Sequence, residues 1–379
     1  MRFVIYVAVS ILLSGMVVFA QWNPPQTPND TLKSVKLLLE NMIRVSIYAP
    51  EASEVVFSST DIPAAGWAVP MEKNENGVWT ATVKPVGAGA YRYRFIVDGV
   101  ATVDPLNPET SESLMNAWSL FTVPGEAFMD TRQVPHGAVA EVTYYSNTLE
   151  RFRRMHVYTP PGYELGKGSY PVFYLLHGAS DSDDSWTTVG RAGYILDNLL
   201  VEKKIKSMVV VMPNGHVNPW RWGQPLNDTE RNLFIDDFLN DIMPYIEKHY
   251  RVKAGKQNRA LAGLSMGGSQ TLNMAEQFSY IGVFSSGIFG IVPRPGVTPQ
   301  SPTWEELNQE KLKDPQLKKE VKLIWFATGR EDFLIETSRA TVDLLRKYGF
   351  DVQFKETDGG HTWINWRQYL NEFTPLLFQ

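Results

Sequence analysis

The sequence predicts a two-part fold, a small all-β sandwich followed by an α/β domain with a mainly parallel central sheet. Three observations predict it. Between residues 32 and 125 short alternating segments recur at intervals of roughly ten residues, with turn residues between them. From residue 129 to 379 continuous apolar runs of buried-strand type alternate with helical segments. Within that second part "GLSMGG", Gly263 to Gly268, falls directly between an apolar run and a helix-like stretch.

Residues 1–20, "MRFVIYVAVSILLSGMVVFA", carry Arg2, a long apolar run and a Val18-Phe19-Ala20 exit, the make-up of a secretory signal peptide. A membrane anchor is the competing reading. The run is at the short end for spanning a bilayer and has no basic stop-transfer flank. The expected location is secreted or periplasmic, with no stable membrane insertion after cleavage. Residues 21–31, "QWNPPQTPNDT", read as a flexible leader.

The sandwich, residues 32–125, is written in "MIRVSIYAP", "EVVFSS", "GVWTATVKP" and "AYRYRFIVDGVATVDP". In the last of these Tyr91, Tyr93 and Phe95 share one face and Arg92 and Arg94 the other, the period-two pattern of a half-buried strand. Asp98-Gly99 suits a type I′ hairpin turn, where positive φ is required. Past the "VPGEAF" joint, "RRMHVYTPPGY", "YPVFYLLHG", "SMVVVMPNGH", "RALAGLS", "IGVFSSG", "VKLIWFATG" and "FDVQFKE" are strands. Helical spacing marks "GYILDNLLVEKK", "NLFIDDFLNDIMPYIEKHY" with Pro244 as a kink, "SRATVDLLRKYG" and the closing "WRQYLNEFTPLLF".

Composition excludes several functions. Lys plus Arg number 36 against 41 Asp plus Glu, a net charge of −5 with the signs interspersed, which argues against nucleic acid and anionic membranes as partners. The chain has no cysteine, hence no disulfide framework, no thiolate metal site and no lipid-modified cysteine. Its 11 tryptophans serve either a core or exposed platforms for sugars and phenolics, and composition does not choose between them.

Ser265 is the centre of Gly-x-Ser-x-Gly, after the strand "RALAGL" and before a helix, the context of a nucleophile elbow. Gly263 and Gly267 allow strand and helix to approach. The amide of Met266 then faces a developing oxyanion at a helix N-terminus. A tight structural turn is the bland alternative. A serine hydroxyl needs a base, and His361 in "TDGGHTWINW" lies in a loop before the last helix, as the order Ser, acid, His requires. His156 and His249 sit in a strand and at a helix end, His136 at the domain joint, and His216 upstream of the serine. The acid should follow the strand "VKLIWFA", where Asp332 is chosen over Glu331 and Glu336; Asp358 is too near His361 in sequence. The loop after "LLHG" offers Ala179 N–H as second oxyanion donor, with Gly178 leaving room and His177 as a buttress.

"VYTPPGY", "VFYLLHG", "VVVMPNG", "GLSMGG", "TGREDF" and "GGHTWINWR" together resemble the bacterial feruloyl and acetyl-xylan esterases of carbohydrate esterase family one, in the esterase D superfamily. The resemblance covers most of residues 129–379. It implies an α/β-hydrolase fold, with Ser265, His361 and Asp332 as nucleophile, base and acid. "YRYRFIVDGVATVDPLNP" resembles the immunoglobulin-like module in front of glycogen-branching enzymes, carbohydrate-binding module family forty-eight. Trp67 and Trp79 are either a sugar platform or core. Expected substrates are feruloylated or acetylated xylan or its oligosaccharides, with no metal or organic cofactor. Trp186, Trp220, Trp222, Phe289 and Trp363 are candidates to rim the site, with ordinary packing as the alternative. The Pro-rich segment "FGIVPRPGVTPQSPTWEELNQEKLKDPQ" is a candidate lid or pocket wall. An enterochelin-type siderophore esterase, a mycolyltransferase-like acyl transferase and a non-catalytic carbohydrate-binding protein are the alternatives.

Overall fold

The structure, a computed structural model, describes residues 26–63, 65–66, 68–84, 86–218, 228–293 and 301–379. The N-terminal part has strands β1 (Val35–Leu37), β2 (Ile43–Tyr48), β3 (Val55–Ser58), β4 (Val69–Pro70) and β5 (Glu72–Lys73). They are followed by β6 (Val78–Val83), β7 (Gly89–Val97), β8 (Val100–Thr102), β9 (Thr110–Glu112) and β10 (Ala117–Val123). One sheet has the order β1-β2-β6-β5; the other runs β4-β3-β7-β10-β9, with β8 on β7.

The inward face of β7 follows its alternation: Tyr91, Tyr93 and Phe95 pack with Ile43, Val45 and Phe57 between the sheets. The opposite face departs from expectation, because Arg92 is only 6% exposed. The second domain covers that face, so β7 is buried on both sides where alternation alone implied solvent. Neighbouring Arg94 lies 4.2 Å over the Trp118 ring. Trp79 is core, donating its indole N–H to Ala49 O at 2.9 Å. Trp67 lies outside the described residues.

The α/β domain is one eight-stranded sheet. Its strands are β11 (Ala138–Ser146), β12 (Arg151–Thr159), β13 (Val172–Leu176), β14 (Val209–Pro213), β15 (Arg259–Leu264), β16 (Tyr280–Phe284), β17 (Leu323–Gly329) and β18 (Gln353–Thr357). The order is β11-β12-β14-β13-β15-β16-β17-β18, antiparallel in the first two pairings and parallel from β14 onward.

Its helices are α1 (Ala192–Val201), α2 (Asp228–Asp237), α3 (Met243–His249), α4 (Met266–Met274), α5 (Trp304–Leu307), α6 (Gln309–Lys313) and α7 (Pro315–Glu320). The last two are α8 (Ile335–Lys347) and α9 (Trp363–Phe373). Strand residues alternate between two cores. Phe173, Leu175, Ala262 and Phe284 meet α1 and α9. Tyr174, Leu176, Leu261 and Val283 meet the helices of the opposite layer, from α2 to α4 and α8. Covering both faces is what a parallel sheet of continuous apolar strands requires. Pro244 causes no break: a π-helical turn at Phe238–Ile242 precedes it and places it in the first turn of α3.

The described part of the Pro-rich insertion is not a lid over the strand ends. Helices α5–α7 pack along the far end of α4, where Trp304 donates to Asn273 Oδ1 at 2.9 Å and Leu312 joins the core beside Ile281 and Ile324, near the starts of β16 and β17. Residues 294–300 lie outside the described residues. No helix among the described residues is long and apolar enough to cross a membrane.

Candidate active site

Ser265 stands between β15 and α4 with φ 51° and ψ −115°. A non-glycine residue there is strained, at a cost of about 1–3 kcal/mol. Its backbone is over-determined. Ser265 N–H donates to Phe284 O at 2.9 Å, and its carbonyl accepts from the Ser286 hydroxyl and, at 3.1 Å, from Gly268 N–H. The flanking glycines are needed for space: a Cβ on Gly263 would lie 2.3 Å from Gly267 C, and one on Gly267 would lie 2.7 Å from His177 O. The result presents the serine half-exposed at the N-terminus of α4, where partial positive charge collects.

Asp332 and His361 come from the loops after β17 and β18, whose ends pair at Gly329 and Thr357. The Asp332 carboxylate lies 2.9 and 3.1 Å from His361 Nδ1. It also accepts Leu334 N–H at 2.8 Å. Burial pushes this carboxyl up, but the hydrogen bond and charge of His361 and the Leu334 amide outweigh burial and hold it below its ordinary range. It is therefore an anion that orients the imidazole and directs Nε2 away from itself. Neither rival has that position: Glu336 pairs with Arg339, and the Glu331 side chain makes no contact with His361 among the described hydrogen bonds. Asp358 forms a surface pair with Arg330.

The loop after β13 carries Ala179, the expected second donor. His177 Nε2 accepts Gly215 N–H at 2.9 Å, so its proton is on Nδ1, which donates to Gly178 O at 2.8 Å. Burial holds His177 below its ordinary value, and the ring stays neutral. The Gln270 amide then donates to Gly215 O at 2.9 Å, tying this loop to α4. Thus His177 connects the backbone around Ala179 with the helix that carries the Met266 amide. Beside it His216 is buried, 5.3 Å between ring centroids. Burial first, and then His177, push His216 down to about 3.

The aromatic candidates separate. Trp186 and Trp363 do not rim a pocket: at 1% and 2% exposed they pack edge-to-face, 5.0 Å between centroids, beneath the site. Trp186 also donates to Leu176 O at 3.1 Å, and Trp363 packs on Trp366, which in turn meets the His361 ring at 5.0 Å. Their hydrophobic bulk supports the loop that carries His361. Phe289 is 38% exposed and lines a cavity of 370 Å³ with Ile288, Trp304 and Leu307. Trp220 and Trp222 lie outside the described residues. Sequence reasoning missed Phe333, which is 71% exposed with its ring 4.5 Å from that of His361. An aromatic residue next to the chosen acid was the available signal. Among the described residues no group of three or more His, Asp or Glu side chains is arranged to hold a metal ion.

Comparison with known proteins agrees with this architecture. The esterase family model matches residues 146–377, and that of carbohydrate-binding module 48, the isoamylase N-terminal domain, matches residues 34–113. An endo-1,4-beta-xylanase/feruloyl esterase of Xylanibacter ruminicola is 31% identical over 371 residues, which is 94% of this chain and 47% of that relative. This chain thus spans about half of the relative's length. A solved CE1 ferulic acid esterase from the anaerobic fungus Anaeromyces mucronatus superposes with a TM-score of 0.57 at 25% identity, over 68% of this chain and 96% of its own. Enterochelin esterase from Shigella flexneri shares the fold, with a TM-score of 0.62 at 18% identity over 91% of this chain and 95% of its own. The chain belongs to the esterase family, with a carbohydrate-binding module 48 domain ahead of its α/β domain.

Proposed function

We propose that the protein is a secreted serine esterase that removes hydroxycinnamoyl groups, feruloyl above all, from plant cell-wall xylan or its oligosaccharides. The observation that carries the serine mechanism is Ser265 in its strained elbow, at the same sheet edge as the Asp332–His361 pair. Ser265 Oγ attacks the ester carbonyl while His361 Nε2 takes its proton. The amides of Met266 and Ala179 receive the oxyanion, each contributing about 3–4 kcal/mol to lowering the barrier. The tetrahedral intermediate collapses as protonated His361 gives its proton to the leaving sugar oxygen. A water molecule, deprotonated by His361, then attacks the acyl-enzyme and returns Ser265.

The substrate class is supported by the two ferulic acid esterases to which the chain is similar. Secretion is supported by the signal-like residues 1–20. The exposed ring of Phe333 lies beside the residue that protonates the leaving group, and so offers the departing sugar an apolar face.

The test compares Ser265→Ala with the unaltered protein on methyl ferulate, acetylated xylan and a catecholate siderophore ester. Loss of hydrolysis by a folded Ser265→Ala variant, with methyl ferulate the preferred substrate, is the expected result. Turnover unchanged in that variant refutes the serine mechanism. Preference for acetylated xylan or for the siderophore refutes the feruloyl assignment.

A further inference from the structure

We propose that Arg92, on the β-sandwich, is a positioning residue for the oxyanion site: it holds the Gly178–Ala179 turn through Asp181, which makes the N-terminal module a working part of the esterase centre. This rests on the serine mechanism proposed above.

Arg92 reaches across the domain boundary. Its Nη1 donates to Asp181 Oδ1 at 2.8 Å, while Nε and Nη2 donate to the two oxygens of Asp61 at 2.9 and 3.2 Å. Asp61 thereby grips one side of the guanidinium and aims the other at Asp181, a division of labour that a planar fork permits and a lysine ammonium does not. Both acidic partners are buried. Asp181 is four residues past the end of "LLH", and its N–H donates to Gly178 O at 3.2 Å, so carboxylate and turn form one unit. A Cβ built on Gly178 would lie 3.2 Å from Asp181 Oδ2 and 3.6 Å from Ser265 Cβ. The ion pair therefore sits directly behind the turn that faces the serine.

Two further contacts make the grip specific to this loop. Module residues Leu114 and Glu112 donate their amides to Ser180 O at 3.2 Å and to Asp184 Oδ2 at 2.9 Å. Farther along the same boundary, and outside this grip, Ser111 and Thr188 share a hydroxyl hydrogen bond of 2.7 Å. The Arg92 guanidinium also lies 5.9 Å from the ring of Trp363, two residues past His361. Charge gives a second role. Without Arg92 the buried Asp181 carboxylate would place negative charge behind the position where the oxyanion forms, opposing the transition state.

Full-length Arg92→Met, Arg92→Lys, Asp181→Asn and the Arg92→Met/Asp181→Asn pair test this, with Ser111→Ala as an interface control. The readouts are kcat and KM on methyl ferulate, affinity for a boronic acid that mimics the tetrahedral intermediate, and thermal unfolding. Arg92→Met is expected to lower kcat by about 10- to 100-fold with KM little changed, and to weaken the boronic acid in proportion. The double variant, which removes the unpaired charge behind the turn and leaves only that of Asp61 within the sandwich, is expected to recover part of that loss, and Ser111→Ala to keep full kcat. If Arg92→Met does not fold, Arg92→Lys decides, with a drop in kcat of about tenfold expected. A folded Arg92→Met or Arg92→Lys with unaltered kcat and boronic acid affinity overturns the proposal, as does a loss that merely follows the folded fraction. Activity persisting in Ser265→Ala overturns the underlying mechanism instead, so the two failures are distinguishable.

Discussion

In the proposed mechanism the Asp332–His361 pair and the Gly178–Ala179 turn serve the same serine, but they are held in different ways. The pair is built from the ends of two adjacent strands, with Gly329 and Thr357 in register and Asp332 fixed by the Leu334 amide. The hydrogen bonds that orient it lie within one sheet and its neighbouring loops. The turn is gripped from outside its own domain, by Arg92, Glu112 and Leu114 of the sandwich. On the proposed mechanism, proton transfer would depend on local structure, whereas oxyanion stabilisation would depend on how two domains are joined. Perturbing the interface should therefore impair the second while sparing the first.

Asp332→Asn attacks the local arm and has the largest expected effect. It exchanges an anion for a neutral group opposite His361 Nδ1, and kcat should fall by about 10⁴-fold. The boronic acid should still find its backbone donors, and pre-steady-state acylation should report the loss. His177→Leu attacks the other arm from inside the α/β domain. It removes the acceptor of Gly215 N–H and the donor to Gly178 O, with an expected stability loss of about 1–3 kcal/mol, read by urea unfolding. Its kcat should fall by about tenfold or more on the same grounds as the Arg92 variants.

The imidazoles behind the turn predict a pH dependence. The folded state keeps His216 neutral down to about 3, against an ordinary value of 6.5. Between those values the unfolded chain binds the additional proton, so stability rises with pH across that window and is lost as pH falls from 6.5 towards 3. His216→Phe should flatten the acid limb of a plot of unfolding free energy against pH; an unaltered slope would show that the proton uptake lies elsewhere. The smallest effect is expected at Phe333. Its exposed ring contributes little to the core, and Phe333→Ala should leave stability within about 0.5 kcal/mol. KM for feruloylated xylo-oligosaccharides should rise severalfold and that for methyl ferulate hardly at all. Equal effects on both would place the ring at the acyl group instead.

Much of this was legible in the sequence because local patterns carry it. Continuous apolar runs gave the parallel strands, and the hexapeptide around Ser265, placed between strand and helix, gave the elbow. Chain order then led to Asp332 and His361, since in a parallel sheet the loops at one edge follow successive strands. What escaped were facts about partners far away in sequence. The alternation in "YRYRF" sorts Arg92 from Tyr91 and Tyr93, yet it says nothing about a domain that begins tens of residues later and covers the arginine face. Trp186 and Trp363 failed as pocket walls for the same reason. A tryptophan near a catalytic motif can face in or out, and only the packing of α9 on the sheet decides. The edge strand β11 was also missed, because Ala138–Glu141 are exposed and its apolar run, Ala138–Ala140, is only three residues long.

The backbone at Ser265 also bears on the protein's history. Glycine would occupy φ 51° and ψ −115° with far less strain than serine does. A descendant released from the need to hydrolyse esters would therefore gain stability by exchanging this serine for glycine. Selection on activity and selection on stability pull in opposite directions at this one residue.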